Sequence, residues 1–293
     1  SDFAIWVKAD PHHIMRWNSP WSVGFPGWHL ECSVMSTKYL GEKFDIHGGG
    51  MDLQFPHHEN EIAQNIGCCG SAPANYWLHT NMLTFEGAKM SKSLNNSILP
   101  NELFTGNHDL LSQAYSPMVL RFFFLRAHYR SVCDFSDSGL QASEKSFNRL
   151  MQGLKSLKGL TYLGKEKTTE EDKVINGLLE QVYEHMSDDF NTPRVLATLF
   201  ELVSKINSFK NGQLKLNTIS KATLERLQQI LPVFVQDVLG LKEEAGNDDK
   251  IVDGLMKLVI SMRNEARANK NWAASDLIRD ELNNVGIQLK DSK

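Results

Sequence analysis

The chain has 293 residues, of which 41% are hydrophobic and 23% charged, and its formal net charge is −4 at pH 7. These values are typical of a globular protein of about two domains, and they do not indicate nucleic-acid binding, although a local basic face can bind phosphate under an acidic total. No apolar stretch approaches about 18 residues and no secretory signal opens the chain, so neither a membrane span nor secretion is expected.

The cysteines indicate the redox compartment. Cys32, Cys68, Cys69 and Cys133 are too few and too irregularly spaced to form a disulfide framework in a chain of this size. A reducing cytoplasmic location is therefore expected. The chain starts without methionine, so we expect it to be a piece of a longer polypeptide.

The first part of the chain, to about residue 138, mixes short apolar runs with glycine and proline, which predicts an α/β arrangement. Phe44 to His47, followed by Gly48, Gly49 and Gly50, predicts a short strand that leads into a tight turn. Glu59 to Ile66 is predicted to continue as a helix.

From about Leu140 the pattern becomes helical, because apolar residues recur at spacings of three and four. Thr192 and Pro193 predict a helix start, with the threonine as the cap and the proline in the first helical position. Gly240 and Gly286 are predicted to end helices. The acidic, glycine-containing stretch 243–250 predicts a linker before a small C-terminal unit.

A possible metal site follows from the spacing of His57 and Glu61. On a helix these residues face the same side and can bind one ion, as can His58 and Glu61. Cys32 is the natural sulfur ligand, since the adjacent pair 68–69 lacks a chelating spacing. The alternative interpretation is a helix start with solvated His and Glu, and a buried Cys32 that acts as a small hydrophobe.

Two further segments indicate phosphate chemistry. Residues 47–52, His-Gly-Gly-Gly-Met-Asp, have the composition of a turn where backbone approaches a ligand and a carboxylate holds ribose hydroxyls. Lys89 to Ser93 reads Lys-Met-Ser-Lys-Ser, and its flanking Gly87 and Asn95-Asn96 predict a mobile cationic loop that meets phosphate charge. The alternatives are a tight strand-to-helix turn and a solvated basic loop.

In this order and spacing, the segments 26–32, 47–61 and 89–93 resemble the cysteinyl-tRNA synthetases. Residues 188–193 resemble the entry to that family's anticodon-binding domain, and residues 267–291 resemble its C-terminal unit. The resemblance therefore covers essentially the whole chain. The family's first zinc cysteine and its His-Ile-Gly-His-type signature have no counterpart here, so the chain resembles the C-terminal part of the enzyme and is expected to be inactive alone.

The resemblance implies an α/β fold followed by an all-α fold, namely the C-terminal half of a Rossmann-type class I catalytic domain and a helical-bundle anticodon-binding domain. It divides the chain into a catalytic half-domain with the zinc site (1–80), a KMSKS loop and stem-contact region (81–139), the helical bundle (140–249) and an anticodon-recognition unit (250–293).

The implied activity is that of a cysteine–tRNA ligase. ATP activates cysteine as cysteinyl-adenylate, the cysteinyl group passes to tRNA(Cys), and one Zn²⁺ per subunit selects the substrate thiolate. Mg²⁺ is expected with ATP, and a monomer is expected.

The resemblance also assigns roles to individual residues. The implied zinc ligands are Cys32, His57 and Glu61, and the implied walls of the cysteine pocket are Trp28 and His47. The implied catalytic residues are Lys89 and Lys92, and the implied ATP-binding residues are Lys92, Asp52, Gly48, Gly49 and Gly50. The implied anticodon residues are Arg267, Trp272, Asp276 and Asp291.

Two rival interpretations remain at this point. A related ligase that couples cysteine to an amino sugar shares the catalytic signatures, but it should not need the helical region after Leu140 or the segment 267–291. The other rival is a noncatalytic RNA-binding fragment with a structural zinc, for which closed four-ligand coordination would be the mark.

Overall fold

The structure is a computed structural model that describes residues 3–94, 96–162, 169–244 and 247–284, without the side chains of residues 92, 247–253 and 284. The strands are β1 (Trp6–Lys8), β2 (Gly24–Pro26), β3 (Phe44–Gly50), β4 (Ala74–Thr80), β5 (Leu83–Phe85), β6 (Ala88–Lys89) and β7 (Cys133–Phe135). The α-helices are α1 (Trp28–Leu40), α2 (Glu59–Cys69), α3 (Pro100–Thr105), α4 (Pro117–Leu125), α5 (Asp137–Lys158), α6 (Glu170–Ser187), α7 (Thr192–Lys210), α8 (Lys221–Val233), α9 (Asn247–Ala268) and α10 (Trp272–Asn284). In the described ranges, no helix is both long enough and apolar enough to cross a membrane.

A parallel pair of strands carries the glycine run. β3 pairs with β4, and Gly48 lies opposite Leu78 and Gly49 opposite His79. The glycines are therefore the end of the strand, and the predicted tight turn at this position is wrong. The chain turns only afterwards, in the short 3₁₀ segment Met51–Leu53. The parallel ladder extends the strand because it binds the glycine backbone groups, a contact that local composition does not show.

A second, three-stranded sheet carries the lysine-rich segment. β5 pairs with β6 in antiparallel fashion and with β7 in parallel. Glu86 and Gly87 turn the chain between β5 and β6 with φ of 47° and 78°, a left-handed conformation that favours glycine. The Gly87 N–H donates to Asp134 Oδ1 at 2.7 Å, which ties this turn to β7.

The largest core lies where α5 to α8 pack together, and α4 adds Phe122 to it. Within α7 the fully buried residues recur at helical spacing, as the apolar pattern predicted; they include Leu199, Leu202, Val203 and Ile206. The start of α7 differs from the prediction. Asn191 is the N-cap, with its side-chain oxygen accepting from the Arg194 N–H at 3.4 Å, and Thr192 is the first helical residue. Asparagine outcompetes threonine for the cap because its carboxamide reaches the free N–H group.

Contacts between Cα atoms divide the chain into two units, Ser1–Leu241 and Lys242–Lys293. The second unit is by itself a pair of packed helices, α9 and α10. α9 begins at Asn247, inside the stretch predicted as a linker, because a helix start tolerates the acidic residues found there. Gly286 lies outside the described residues. The finer four-part division of the chain stays a prediction.

Gly153 allows α5 and α7 to approach closely, and replacing it should destabilise the bundle. A Cβ on Gly153 would lie 2.7 Å and 2.8 Å from the two Cγ atoms of Val203, which is itself fully buried. We expect Gly153→Ala to lower the free energy of unfolding by about 1–3 kcal/mol.

Gly177 supplies the matched control, since a Cβ on this α6 glycine would meet no atom within 4 Å. Gly177→Ala should raise the free energy of unfolding by about 0.5–1 kcal/mol, because alanine loses less backbone entropy in a helix. Urea unfolding followed by circular dichroism measures both variants. Equal effects of the two substitutions would show that α5 and α7 are not in the close contact described.

Candidate metal and nucleotide site

Three potential ligands converge from two helices in the first unit. α1 starts after Gly27 and presents Cys32, while a π-helical turn over Gln54–His58 leads into α2 and presents His57. Glu61 lies in the first turn of α2. The ligand atoms of Cys32, His57 and Glu61 all lie within 4.8 Å of one another. The tertiary packing of α1 on α2 thus brings together residues that are far apart in the sequence.

Glu61 is the most unusual member of the cluster, with a side chain that is only 1% exposed. Its Oε1 lies 2.9 Å from His57 Nε2 and its Oε2 lies 3.5 Å from His47 Nε2. Among the described residues neither oxygen has a hydrogen-bond partner. A buried carboxylate without donors is costly unless a cation binds it, so the residues fit a divalent metal.

The pKa values of the cluster point in the same direction. Burial raises the pKa of Glu61 to about 7, and burial together with the Glu61 and Glu31 charges raises the pKa of the Cys32 thiol. Burial, with the neighbouring His29 and His47, lowers the pKa of His57. The imidazole is therefore neutral and able to bind a metal, whereas a nearby cation would favour ionisation of both the thiol and the carboxyl.

His29 orients one of the candidate ligands. Its Nδ1 lies 2.7 Å from Nδ1 of His57, so one ring donates to the other. If His57 Nδ1–H donates, Nε2 is left unprotonated beside Glu61, the tautomer that a metal ligand needs. His29 lies in the segment 26–32 that carries the family resemblance, but no role was predicted for it. The available signal was its position three residues before Cys32, on the same face of α1.

The structure also forms a second group that contains Glu61. Ligand atoms of His47, His58 and Glu61 lie within 4.8 Å of one another, so His58 remains the alternative to His57. His58 Nδ1 lies 2.8 Å from His79 Nε2 on β4. Burial, and to a smaller extent the nearby histidines, lowers the pKa of His58 to about 4. No local sequence pattern indicates a role for His79, because only the β3–β4 pairing brings it next to His58.

The residues expected to line the cysteine pocket do border this cluster. The Trp28 ring centroid lies 4.3 Å from that of His57, and the indole is 60% exposed. The His47 ring centroid lies 4.7 Å from that of Trp77 and 4.8 Å from that of His58. The exposed indole of Trp28 and the half-buried imidazole of His47 therefore both border the cluster. Their contact with a substrate stays a prediction.

The glycine run ends at the carboxyl end of β3, where open parallel sheets bind ligands. A Cβ on Gly49 would lie 2.8 Å from the His58 ring, and one on Gly50 would overlap the Asp52 carboxylate. Asp52 is exposed and lies in the short turn that follows the strand. Gly49 and Gly50 therefore leave no room for a side chain beside His58 and the exposed Asp52 carboxylate. An ATP-binding role for Gly48, Gly49, Gly50 and Asp52 stays a prediction.

The lysine-rich segment follows the β5–β6 turn. Lys89 is exposed at the end of β6, and Lys92 opens a short 3₁₀ turn, with its side chain outside the described part. Asn96 closes the loop, because Oδ1 accepts from the Ser91 N–H at 2.8 Å and Nδ2 donates to the Lys89 carbonyl at 3.1 Å. The backbone that carries both lysines is thus held by one side chain.

Comparison with known proteins places these features in a family. Residues 1–145 match the family described as "tRNA synthetases class I (C) catalytic domain", and residues 181–243 match the "DALR domain". The whole chain is 50% identical to each Cysteine--tRNA ligase of Cytophaga hutchinsonii and Bacteroides fragilis, and covers 59% of either protein. It is 43% identical to that of Deinococcus radiodurans and covers 58% of it. The chain belongs to the cysteine–tRNA ligase family.

Membership confirms the predicted fold class, an α/β catalytic part followed by a helical part. The chain spans about 59% of the length of the curated relatives it matches. A solved structure, the ternary complex of Agrobacterium radiobacter K84 agnB2 LeuRS with tRNA and LeuAMS, has 17% sequence identity and a TM-score of 0.51. That match covers 79% of this chain and 34% of the LeuRS chain, and it supports the fold alone.

The second unit contains the residues that the resemblance to this family assigned to the anticodon. Arg267 lies in the last turn of α9, and Trp272, which is 58% exposed, begins α10. Asp276 forms an ion pair with Arg279 at 3.1 Å, one turn later. Asp291 lies outside the described residues. Arg267 and Trp272 are thus placed on either side of the same helix–helix turn, and their role stays a prediction.

Three arginines in and just after α4 contact other groups of the protein. Arg121 Nε donates to the Leu239 carbonyl at 2.7 Å, and Arg126 donates to Ser143 Oγ at 2.7 Å. Arg130 meets Asp189 at 2.7 Å, in the segment that precedes α7. Through these contacts, the three arginines help to hold the catalytic part against the helical bundle.

Proposed function

We propose that this chain is part of a cysteine–tRNA ligase, which uses ATP to activate cysteine and transfers it to tRNA(Cys). The observation that carries the proposal is the convergence of Cys32, His57 and Glu61, with both Glu61 side-chain oxygens left without a hydrogen bond from any described residue. A thiol, an imidazole and a carboxylate form a ligand set that suits zinc. The 50% identity to ligases named for this activity supports the choice of reaction.

The metal would select the amino acid. Zn²⁺ with an open position binds a thiolate well and lowers the thiol pKa, whereas it binds the hydroxyl of serine poorly. A hydrophobic pocket alone separates near-isosteres by only about one hundredfold, so a metal contact supplies discrimination that packing does not. Trp28 and His47 would wall the substrate, and His29 would hold His57 in the ligating tautomer.

The ATP site would lie at the carboxyl end of β3. The Gly48–Gly50 backbone lets the nucleotide approach closely, and Asp52 would accept from the ribose hydroxyls. Lys89 and Lys92 would offset the phosphate charge during adenylate formation, together with Mg²⁺ on the phosphates. Each residue has a distinct role, since the carboxylate orients the sugar while the lysines act on the reacting phosphate.

The helical part would bind the tRNA. The Arg267 guanidinium can grip guanine with two hydrogen bonds, and Asp276 and Asp291 can accept from base amino groups. Trp272 is exposed at the start of α10 and can stack on an unpaired base. We further propose that the enzyme acts as a monomer in the cytoplasm.

Cysteine-dependent ATP–pyrophosphate exchange by the complete polypeptide tests the proposal, with serine as the matched substrate. We expect exchange with cysteine and at most a trace with serine, followed by charging of tRNA(Cys) when tRNA is added. Absence of cysteine-dependent exchange would contradict the proposal. Exchange that leads to coupling with an amino sugar, and no tRNA charging, would establish the rival ligase instead. Bound zinc without exchange would leave only a noncatalytic RNA-binding role.

A further inference from the structure

The helices that carry the metal cluster meet through polar groups. Ser33 is the buried residue of α1. The apolar residues Val34, Met35 and Leu40 of the same helix are 56%, 46% and 59% exposed. An interface with so little apolar contact has weak control over rotation and sliding of one helix along the other. Other contacts must therefore fix how α1 lies on α2.

Hydrogen bonds supply these contacts one turn beyond the cluster. Ser33 Oγ donates to Gln64 Oε1 at 2.7 Å, which joins α1 directly to α2. The single hydroxyl proton of Thr37 can go to the Ser33 carbonyl, 2.8 Å away, or to Asn65 Oδ1, 3.3 Å away, and the second bond also joins the two helices. Asn65 Nδ2 in turn donates to the backbone carbonyl of Glu61 at 2.9 Å. One connected set of polar groups thus runs from the residue after Cys32 to the backbone of Glu61.

Because these polar groups are buried, leaving any of them without a hydrogen bond costs free energy. Ser33 is 6% exposed and Asn65 is 3% exposed. The Gln64 Nε2 amide is buried and has no hydrogen-bond partner among the described residues. Burying the Gln64 amide with only its oxygen hydrogen-bonded is unfavourable. This cost indicates that the Ser33–Gln64 bond is retained because it fixes the position of α1 on α2.

We propose that Ser33, Thr37, Gln64 and Asn65 are positioning residues for the metal site, an inference that rests on the proposed zinc function. None of them is in the ligand group of Cys32, His57 and Glu61. They set the separation between the α1 ligand and the α2 ligands, which must be correct to within about half an ångström for tetrahedral binding. Removing them lowers metal affinity while every ligand is retained.

The test compares metal binding by variants of the complete polypeptide that lack individual polar side-chain groups. Zn²⁺ affinity is measured by competition with a chromogenic chelator, and ligand geometry is measured from the visible spectrum of the Co²⁺-loaded protein. We expect Ser33→Ala combined with Asn65→Leu to weaken Zn²⁺ binding roughly 10- to 100-fold, the range for groups that orient metal ligands. The Co²⁺ bands should shift or lose intensity as the coordination distorts.

Two matched controls separate positioning from general damage. Within the described part of the chain, Ser36 donates only to the Ser33 carbonyl on its own helix, at 3.1 Å, so Ser36→Ala should leave affinity and spectrum unchanged. Thr37→Val should weaken binding and Thr37→Ser should restore it, because only the hydroxyl matters. Circular dichroism of the metal-free proteins checks that each variant folds.

The outcomes distinguish the inference from the proposed function. If the unsubstituted polypeptide binds neither Zn²⁺ nor Co²⁺, the proposed metal function fails and the inference fails with it. If it binds metal and the Ser33/Asn65 variant binds equally well, the metal function stands and the positioning role is overturned. Equal losses in Ser36→Ala and Thr37→Val would also overturn it, since the effect would not depend on the bonds between α1 and α2.

Discussion

Lys92→Ala should slow cysteine-dependent ATP–pyrophosphate exchange by roughly one hundredfold or more, with little change in the Kd for cysteine. Lys92 lies within the loop that Asn96 closes and opens the short turn Lys92–Leu94. The reason for the asymmetry is that negative charge redistributes over the phosphates in the transition state, whereas cysteine binding involves no phosphate. A lysine that acts there lowers the barrier without adding to ground-state binding.

Rapid measurements of exchange and equilibrium measurements of cysteine binding by the complete polypeptide check this prediction. Lys43 is exposed and precedes β3, so Lys43→Ala removes the same charge without touching the lysine-rich loop. It should retain nearly full exchange. An unchanged exchange rate in Lys92→Ala would remove Lys92 from the catalytic residues. Parallel losses in both variants would point to net charge instead.

Cys32→Ala should weaken zinc binding by more than about one hundredfold, because it deletes the sulfur ligand that makes the site selective for a soft metal. The expected zinc content of the purified complete polypeptide is one per chain before substitution and well below one afterwards. Cys133 offers a matched control, since it is a half-buried cysteine on β7 and is outside both candidate ligand groups. Cys133→Ala should keep its zinc.

The same metal analysis can decide between the two histidines that the structure places near Glu61. His57→Ala should lose zinc and His58→Ala should keep most of it, if the ligand is the histidine 2.9 Å from Glu61. The reverse result would assign the ligand role to His58, through its group with His47 and Glu61. Full zinc retention in Cys32→Ala would contradict the proposed site as a whole.

Much of this arrangement follows from local sequence. The three- and four-residue apolar spacing after Leu140 predicts helices because one face of each must be buried, and Leu150, Leu199 and Leu227 are indeed fully buried. The spacing of His57 and Glu61 likewise predicts their contact, since residues four apart on a helix share a face. Identifying the family depended on the order and spacing of short motifs, which are also local features.

Only the tertiary structure decided the rest. The end of the strand at Gly50 depends on pairing with β4, which brings His79 to His58, and composition alone predicted a turn instead. The proximity of Cys32 to Glu61 depends on the packing of α1 against α2. Hydrogen-bond ladders and helix contacts join residues that are distant in the chain, and their geometry is set by the whole fold, so no local pattern of residues determines it.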